Sequence, residues 1–122
     1  MTEQEIRTIL NRQREYFATG ATLSRKFRAE QLGKLKASLQ RHEEELNAAL
    51  QQDLGKSRME SYMCEIGLTL SELTWMQKHL RGLMQEKRVP TPLSQFAAIS
   101  FRSPSPYGTV LIMSPWNYPV LL

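Results

Sequence analysis

The most informative stretch of this chain is Pro106-Tyr107-Gly108-Thr109-Val110-Leu111-Ile112-Met113-Ser114-Pro115-Trp116-Asn117-Tyr118-Pro119. Its middle part, Thr109 to Met113, is a short and continuously apolar run, which is typical of a strand buried on both faces. Such a strand needs helices above and below it, and therefore predicts a parallel sheet of the α/β class. The chain has only this one strand of the kind, so it cannot form the sheet alone.

The loop after this strand carries the side chains that could bind a ligand or take part in a reaction. Pro115 and Pro119 restrict the backbone on either side of Trp116 and Asn117. Open α/β folds bind ligands in loops just beyond the carboxyl ends of their strands. A neutral amide such as that of Asn117 suits an oxyanion that develops in a transition state, and Trp116 can wall a cofactor. By themselves these residues fit a turn asparagine and a core tryptophan equally well.

The rest of the chain divides by composition into two regions. Residues 1–88 contain no proline and are rich in helix formers, whereas residues 89–122 hold all six prolines and more β-branched and aromatic residues. The helical region predicts four helices. The first is capped by Thr2 and Glu5 and stops at Gly20, the second starts at Ser24, the third covers His42 to Leu54 and stops at Gly55, and the fourth runs from Met59 to near Arg88. The pattern does not say whether the second and third form one rod, and on the third it predicts that Leu46, Ala49 and Leu50 face inward. Alternation over Phe96 to Phe101 predicts a further strand, and Pro104 to Gly108 a turn.

Composition and charge favour an ordinary globular protein. The chain has a net charge of +4, 41% hydrophobic residues and a single cysteine, Cys64, which cannot form an internal disulfide. The first residues lack the apolar region of a signal peptide, and no stretch is long and apolar enough for a membrane helix. These features predict a cytoplasmic protein. The mild basic charge is better explained by solvated helix faces than by nucleic-acid binding.

The stretch quoted above resembles the cofactor-site segment of the aldehyde dehydrogenase superfamily, in which a strand leads into a P-W-N-[FY]-P loop. The match over Pro115 to Pro119 is complete, and the WNYP form together with four preceding helices resembles the class 3, or fatty-aldehyde, branch. Upstream, Asp53-Leu54-Gly55-Lys56 resembles the family's D-x-x-K turn before its long helix, which contains Glu65. The resemblance covers essentially all 122 residues.

The resemblance implies a fold, a reaction and a set of site residues. The implied parent fold is α/β with a doubly wound cofactor domain, and these 122 residues are expected to be mainly α-helical with two or three short strands at the C-terminal end. The implied reaction is NAD- or NADP-dependent oxidation of an aldehyde to a carboxylic acid, in which Asn117 helps to stabilise the oxyanion. Met113, Ser114, Pro115, Trp116 and Asn117 match positions that line the cofactor cleft.

The resemblance also implies an organisation in three segments and a partner. Residues 1–88 correspond to an N-terminal helical segment, and residues 89–105 to a linker with an oligomerisation strand near Phe96 to Ser103, so a homodimer is implied. Residues 106–122 correspond to the first strand and loop of the cofactor-binding domain. The family's nucleophilic cysteine, its glutamate base and its ribose-binding residues all lie beyond the matching segment.

The chain alone is therefore expected to be the inactive amino-terminal part of such an enzyme. Cys64 lies in a helix beside Glu65 and lacks the surroundings of a nucleophile. His42 and His79 have no metal-ligand spacing, so no metal is expected. Two alternatives remain: a helical bundle that serves as a protein-interaction module with the tail as a strand for a partner, and a binder of anionic surfaces. No sequence feature identifies the aldehyde.

Overall fold

The structure is a computed structural model that describes all residues, 1–122. Helix α1 (Glu3–Ala18) begins with the predicted capping box, since the Thr2 hydroxyl accepts from the Glu5 N–H at 3.3 Å and the Glu5 carboxylate accepts from the Thr2 N–H at 2.7 Å. Four further helices follow: α2 (Arg25–Arg41), α3 (Glu43–Leu54), α4 (Arg58–Ser61) and α5 (Gly67–Leu83). The chain is thus mainly helical, as predicted.

The breaks between the first helices have local causes. Gly20 and Gly55 follow α1 and α3 with φ of 74° and 67°, a left-handed conformation that glycine adopts without a steric penalty. Ser24 caps α2, as predicted. The pattern left open whether α2 and α3 form one rod. They are two helices, because His42 leaves the helical region at φ −104° and ψ 20°.

The predicted fourth helix is one continuous rod with a change of winding inside it. The chain runs from α4 through a π-helical turn, Tyr62–Ile66, directly into α5. A π turn inserts an extra residue into the helix and turns the side chains that follow. It brings both Glu65 and Ile66 into the interior, where each is 0% exposed.

Gly67 is the residue that accommodates this π turn. A Cβ at Gly67 would lie 2.7 Å from the Tyr62 carbonyl oxygen, whereas a Cβ at Gly82, farther along the same rod, would meet nothing within 4 Å. Gly82→Ala should therefore stabilise the chain by a few tenths to about 1 kcal/mol through helix propensity. Gly67→Ala should instead destabilise it, because overpacking costs about 1–3 kcal/mol. Urea unfolding followed by circular dichroism measures both, and equal stabilisation by the two substitutions would contradict the steric role of Gly67.

The core is small and lies along this rod. The buried apolar side chains are Leu50, Ile66, Leu73 and Leu80. Helix α2 packs against α5, where the Lys36 ammonium donates to the Thr74 hydroxyl at 2.8 Å. On α3 the predicted inward residue Ala49 is exposed and Asn47 is buried in its place. No helix of the chain has the combination of length and apolar character that a bilayer span requires.

The long helix ends earlier than predicted, and the strand after it is shorter. Helix α5 stops at Leu83, and Lys87–Val89 forms strand β1, which pairs antiparallel with β2 (Ser100–Arg102). Pro90 disfavours helical backbone at Val89, so pairing with β2 replaces the last helical turn. The predicted strand over Phe96 to Phe101 is wrong in its first part, because Ala97 has a φ of 75° and interrupts an extended backbone.

The buried strand predicted at Thr109 to Met113 does not form within this chain. The segment has no strand pairing, and Leu111, Ile112 and Met113 are 77–85% exposed. Residues Pro104 to Gly108, which were predicted to form a turn, likewise contain no hydrogen-bonded turn. A strand of a parallel sheet needs neighbours on its edges, and the only strands here, β1 and β2, pair with each other.

Candidate functional site

The candidate site is built where the Pro115–Pro119 loop meets the π turn. Two charged side chains form its base. Lys56 lies between Gly55, where α3 ends, and Ser57, the N-cap of α4. Glu65 projects from the π turn. The Lys56 ammonium forms an ion pair with the Glu65 carboxylate, and the two side chains are 11% and 0% exposed.

Both charged groups also hold the backbone of the loop. The Lys56 ammonium donates to the Asn117 carbonyl oxygen at 2.8 Å and lies 4.3 Å from the centre of the Tyr118 ring. The second oxygen of the Glu65 carboxylate accepts from the Val120 N–H at 2.9 Å. All three N–H groups of an ammonium can be used by these three neighbours: a carboxylate, a carbonyl and an aromatic face.

The two backbone groups held in this way belong to residues three positions apart, Asn117 and Val120. In a β-turn, the carbonyl of the first residue would accept from the N–H of the fourth. Here the Asn117 carbonyl and the Val120 N–H are bound instead by a cation and an anion from another part of the chain. Hydrogen bonds with a charged partner are roughly twice as strong as neutral ones. The loop is therefore tied to the helical region at both ends of Tyr118-Pro119.

The predicted site residues lie on the solvent side of this anchor. Trp116 is 90% and Met113 85% exposed, and Ser114, Pro115 and Asn117 are exposed as well. The Ser114 hydroxyl donates to the Leu122 carbonyl. The Asn117 backbone is held by Lys56, but its side-chain amide has no hydrogen-bond partner in the chain. The five residues are contiguous and available to a ligand, and the amide is a free donor.

The other reactive residues are not brought to this loop. Cys64 lies in the π turn as a half-buried free thiol, and none of its neighbours forms an ion pair or hydrogen bond with it. His42 and His79 each place Nδ1 near the carbonyl oxygen four residues earlier, at 2.9 and 2.8 Å, and His79 stacks on Trp75. No group of three metal-binding side chains is present.

The sequence pattern singled out Lys56 and Glu65, but it did not predict that they form an ion pair and bind the backbone of the loop. Their chain separation of nine residues gave no reason to pair them, and the loop they bind is more than fifty residues away. A signal was nevertheless present: Glu65 stands among apolar helix positions, and a buried glutamate needs a cationic partner. Gly67, two residues later, marks the irregular turn that brings Glu65 inward.

Comparison with known proteins places this geometry in a family. The family model described as "Aldehyde dehydrogenase family" matches residues 1–122. The 4,4'-diaponeurosporen-aldehyde dehydrogenase of Staphylococcus aureus is 42% identical over 107 residues, which are 88% of this chain and 23% of that protein. Mouse aldehyde dehydrogenase family 3 member B3 is 45% identical over 113 residues, 93% of this chain and 24% of its own length.

A solved structure agrees with the sequence relatives. The substrate-bound state of Staphylococcus aureus AldH superposes with a TM-score of 0.91 at 39% identity, over 94% of this chain and 25% of that one. The chain thus spans about a quarter of the length of the relatives it matches. The match of the family model over all 122 residues, together with these relatives, shows that the chain belongs to the aldehyde dehydrogenase family.

Proposed function

We propose that this chain supplies the oxyanion-stabilising amide and part of the cofactor cleft of an NAD(P)-dependent aldehyde dehydrogenase, which converts aldehydes to carboxylic acids. The single observation that carries the proposal is the state of Asn117. Its backbone is held by Lys56, whereas its side-chain amide is exposed and without a partner. A neutral donor of this kind can stabilise an oxyanion without having to break a hydrogen bond to another group of the chain.

The neighbouring residues fit a nicotinamide adenine dinucleotide. Trp116 offers an exposed indole face, and Met113 offers exposed apolar surface. Planar heterocycles pack well on such side chains, and cofactor sites are lined mainly by apolar groups with a few polar ones. Met113, Ser114, Pro115, Trp116 and Asn117 would hold the cofactor, which accepts a hydride from the substrate when it is bound. NAD and NADP both fit these five residues.

The chemical role of Asn117 follows from its amide. When a thiolate attacks the aldehyde carbonyl, the oxygen becomes an alkoxide, and the Asn117 N–H groups donate to it. The amide has no charge to lose, so its contribution does not depend on its protonation state. The nucleophile and the base that releases the acid are assigned to residues outside these 122. Cys64 is not proposed for either role, because it lies in the π turn and not in this loop.

The reaction is tested by following the absorbance of the reduced cofactor with NAD, NADP and a long-chain aldehyde. The chain extended past Leu122 in its native reading frame should turn over, and the 122-residue chain should give no turnover. Cys64→Ser should leave the rate of the extended protein within about twofold, as is usual for a change away from the reacting groups. If the 122-residue chain reduces the cofactor with an aldehyde at a measurable rate, and Cys64→Ser abolishes that rate, the proposal is wrong.

We also propose that the extended protein is a cytoplasmic homodimer joined through the region of Phe96 to Ser103. Strand β2 has one edge free, since it pairs only with β1. The side chains of Phe96, Ile99 and Phe101 are 92%, 65% and 57% exposed, which is a large apolar surface for a free edge. The lone cysteine fits a reducing compartment. Sedimentation equilibrium tests the stoichiometry, and a monomer at micromolar concentration would contradict it.

A further inference from the structure

The Lys56–Glu65 pair has a feature that an ion pair serving stability alone would not need. Each of its members uses a second contact to bind the backbone of the loop. The two bound groups are at the two ends of the Asn117–Val120 segment. The Thr69 hydroxyl, which donates to the Glu65 carbonyl at 2.9 Å, also lies 3.3 Å from the Val120 carbonyl. The contacts thus come from three parts of the helical region: the residue after the α3 cap, the π turn and α5.

These contacts determine where the Asn117 amide lies. The side chain of an asparagine has only two rotatable bonds, so its reach is set by its backbone. The Asn117 carbonyl is fixed by Lys56, and Lys56 in turn is oriented by Glu65. The position of Glu65 depends on the π turn that Gly67 permits. A misplacement of about 1 Å in a catalytic group can cost roughly 10²-fold in rate.

We propose that Lys56 and Glu65 are positioning residues that set the Asn117 amide for catalysis by holding the loop backbone at Asn117 and Val120. The proposal rests on the function proposed above for Asn117. Lys56 and Glu65 act through the loop and touch no substrate. The pair works as a unit, because Lys56 needs the carboxylate to hold its ammonium under the loop and Glu65 needs the ammonium to balance a charge that is 0% exposed.

The first test is a kinetic cycle in the extended protein. Lys56→Met keeps most of the length of the side chain but removes the ammonium, and we expect it to slow single-turnover hydride transfer by about 10- to 100-fold. Because Lys56 acts through Asn117, adding Lys56→Met to Asn117→Ala should slow the reaction further by less than about threefold. Equal slowing in both backgrounds would overturn the proposal, and so would an unchanged rate in the wild-type background.

Matched variants separate positioning from stability. Lys36→Met removes an ammonium that also joins two parts of the helical region, at Thr74, but touches no loop residue. It should leave the single-turnover rate within about twofold of wild type. Lys56→Arg keeps the charge and should recover part of the rate that Lys56→Met loses. If Lys36→Met slows the reaction as much as Lys56→Met, the effect is on folding in general and the proposal fails.

A second variant covers the case in which Lys56→Met does not fold. Glu65→Gln keeps the shape of the side chain but offers one acceptor oxygen where the carboxylate offers two, so the contacts to Lys56 and Val120 cannot both be kept. We expect it to slow single-turnover hydride transfer by about 10-fold or more, and an unchanged rate in the folded variant would overturn the proposal.

Hydrogen exchange at Val120 gives a readout that does not depend on activity. The Val120 N–H is bound to the Glu65 carboxylate. Glu65→Leu combined with Lys56→Met removes both acceptor oxygens and leaves no buried charge unpaired. Exchange at Val120 in the extended protein should therefore rise about tenfold or more in this double variant, while the amides of α5 stay protected. If the extended wild-type protein shows no dehydrogenase activity, the proposed function fails, and this measurement decides the loop anchor by itself. Unchanged exchange at Val120 would show that the pair does not hold the loop.

Discussion

Asn117→Ala in the extended protein should lower kcat for aldehyde oxidation by about 10²–10³-fold, the usual effect of removing one donor from an oxyanion hole. The amide interacts with an oxygen that is charged only in the transition state, so KM for the aldehyde should change little. The backbone contact of Asn117 with Lys56 does not involve the side chain and should persist in the variant. Steady-state kinetics with both substrates varied measures the effect.

The control for this variant is the same substitution at another exposed asparagine. Asn11 lies on the exposed side of α1. Asn11→Ala should leave kcat within about twofold of wild type, because surface substitutions away from a site have small effects. A decrease of less than about tenfold for Asn117→Ala would mean that the loop contributes to cofactor binding only and that the oxyanion is stabilised by other residues.

The second large effect is on stability and concerns the buried ion pair. Lys56→Met in the 122-residue chain should lower the free energy of unfolding by about 3–5 kcal/mol, because it leaves the buried Glu65 carboxylate without its counter-charge. Native proteins typically have a free energy of unfolding of about 5–15 kcal/mol. The expected loss is therefore a large fraction of the stability of a chain with so small a core. Urea unfolding followed by circular dichroism gives the difference.

Two further variants identify the cause of that loss. Arg58 forms an ion pair with Glu44 in which the side chains are 69% and 71% exposed, and Arg58→Met should cost at most about 1 kcal/mol. Lys56→Met combined with Glu65→Leu removes both buried charges and should recover part of the loss. If Lys56→Met costs no more than Arg58→Met, the pair is not a stabilising element and the loop is held by other contacts.

The helical part of the fold could be predicted because its signals are local. The Thr2–Glu5 capping box, the Ser24 cap and the left-handed glycines at positions 20 and 55 all act within one turn, and each is found where the pattern placed it. The π turn could not be predicted in the same way. The apolar spacing from Met59 onward is nearly the same for a regular helix, and the difference is made by tertiary packing of Glu65 and Ile66.

The errors at the C-terminal end have a common physical reason. Strands are stabilised by pairing with residues far away in the chain, and a local pattern does not say which partners are present. Thr109 to Met113 has the composition of a central strand but no free strand to join among these residues. Helix α5 ends early because Lys87–Val89 finds a partner in Ser100–Arg102. Both outcomes therefore depend on pairing between residues that are distant in the chain.

The residues of the candidate site could be predicted from the sequence, but the contacts that hold its loop in place could not. The P-W-N-Y-P pattern singles out Trp116 and Asn117 because two prolines enclose them, and the structure leaves both exposed and available. That Lys56 and Glu65 hold the Asn117 and Val120 backbone depends on contacts across 61 and 55 residues of sequence. Contacts at such separations depend on the folded arrangement of α3, the π turn and α5, which no periodicity encodes.

Thr109 to Asn117 is expected to form a strand and loop of a cofactor cleft once the remaining sheet is present. A crystal structure of the chain extended past Leu122, with NAD bound, tests it most directly. We expect Leu111 and Ile112 to be buried in a parallel strand, Trp116 to contact the cofactor, and the Asn117 amide to face the nicotinamide end with its carbonyl still bound to Lys56. A structure in which this segment stays unpaired and exposed, with the cofactor bound elsewhere, would contradict the claim.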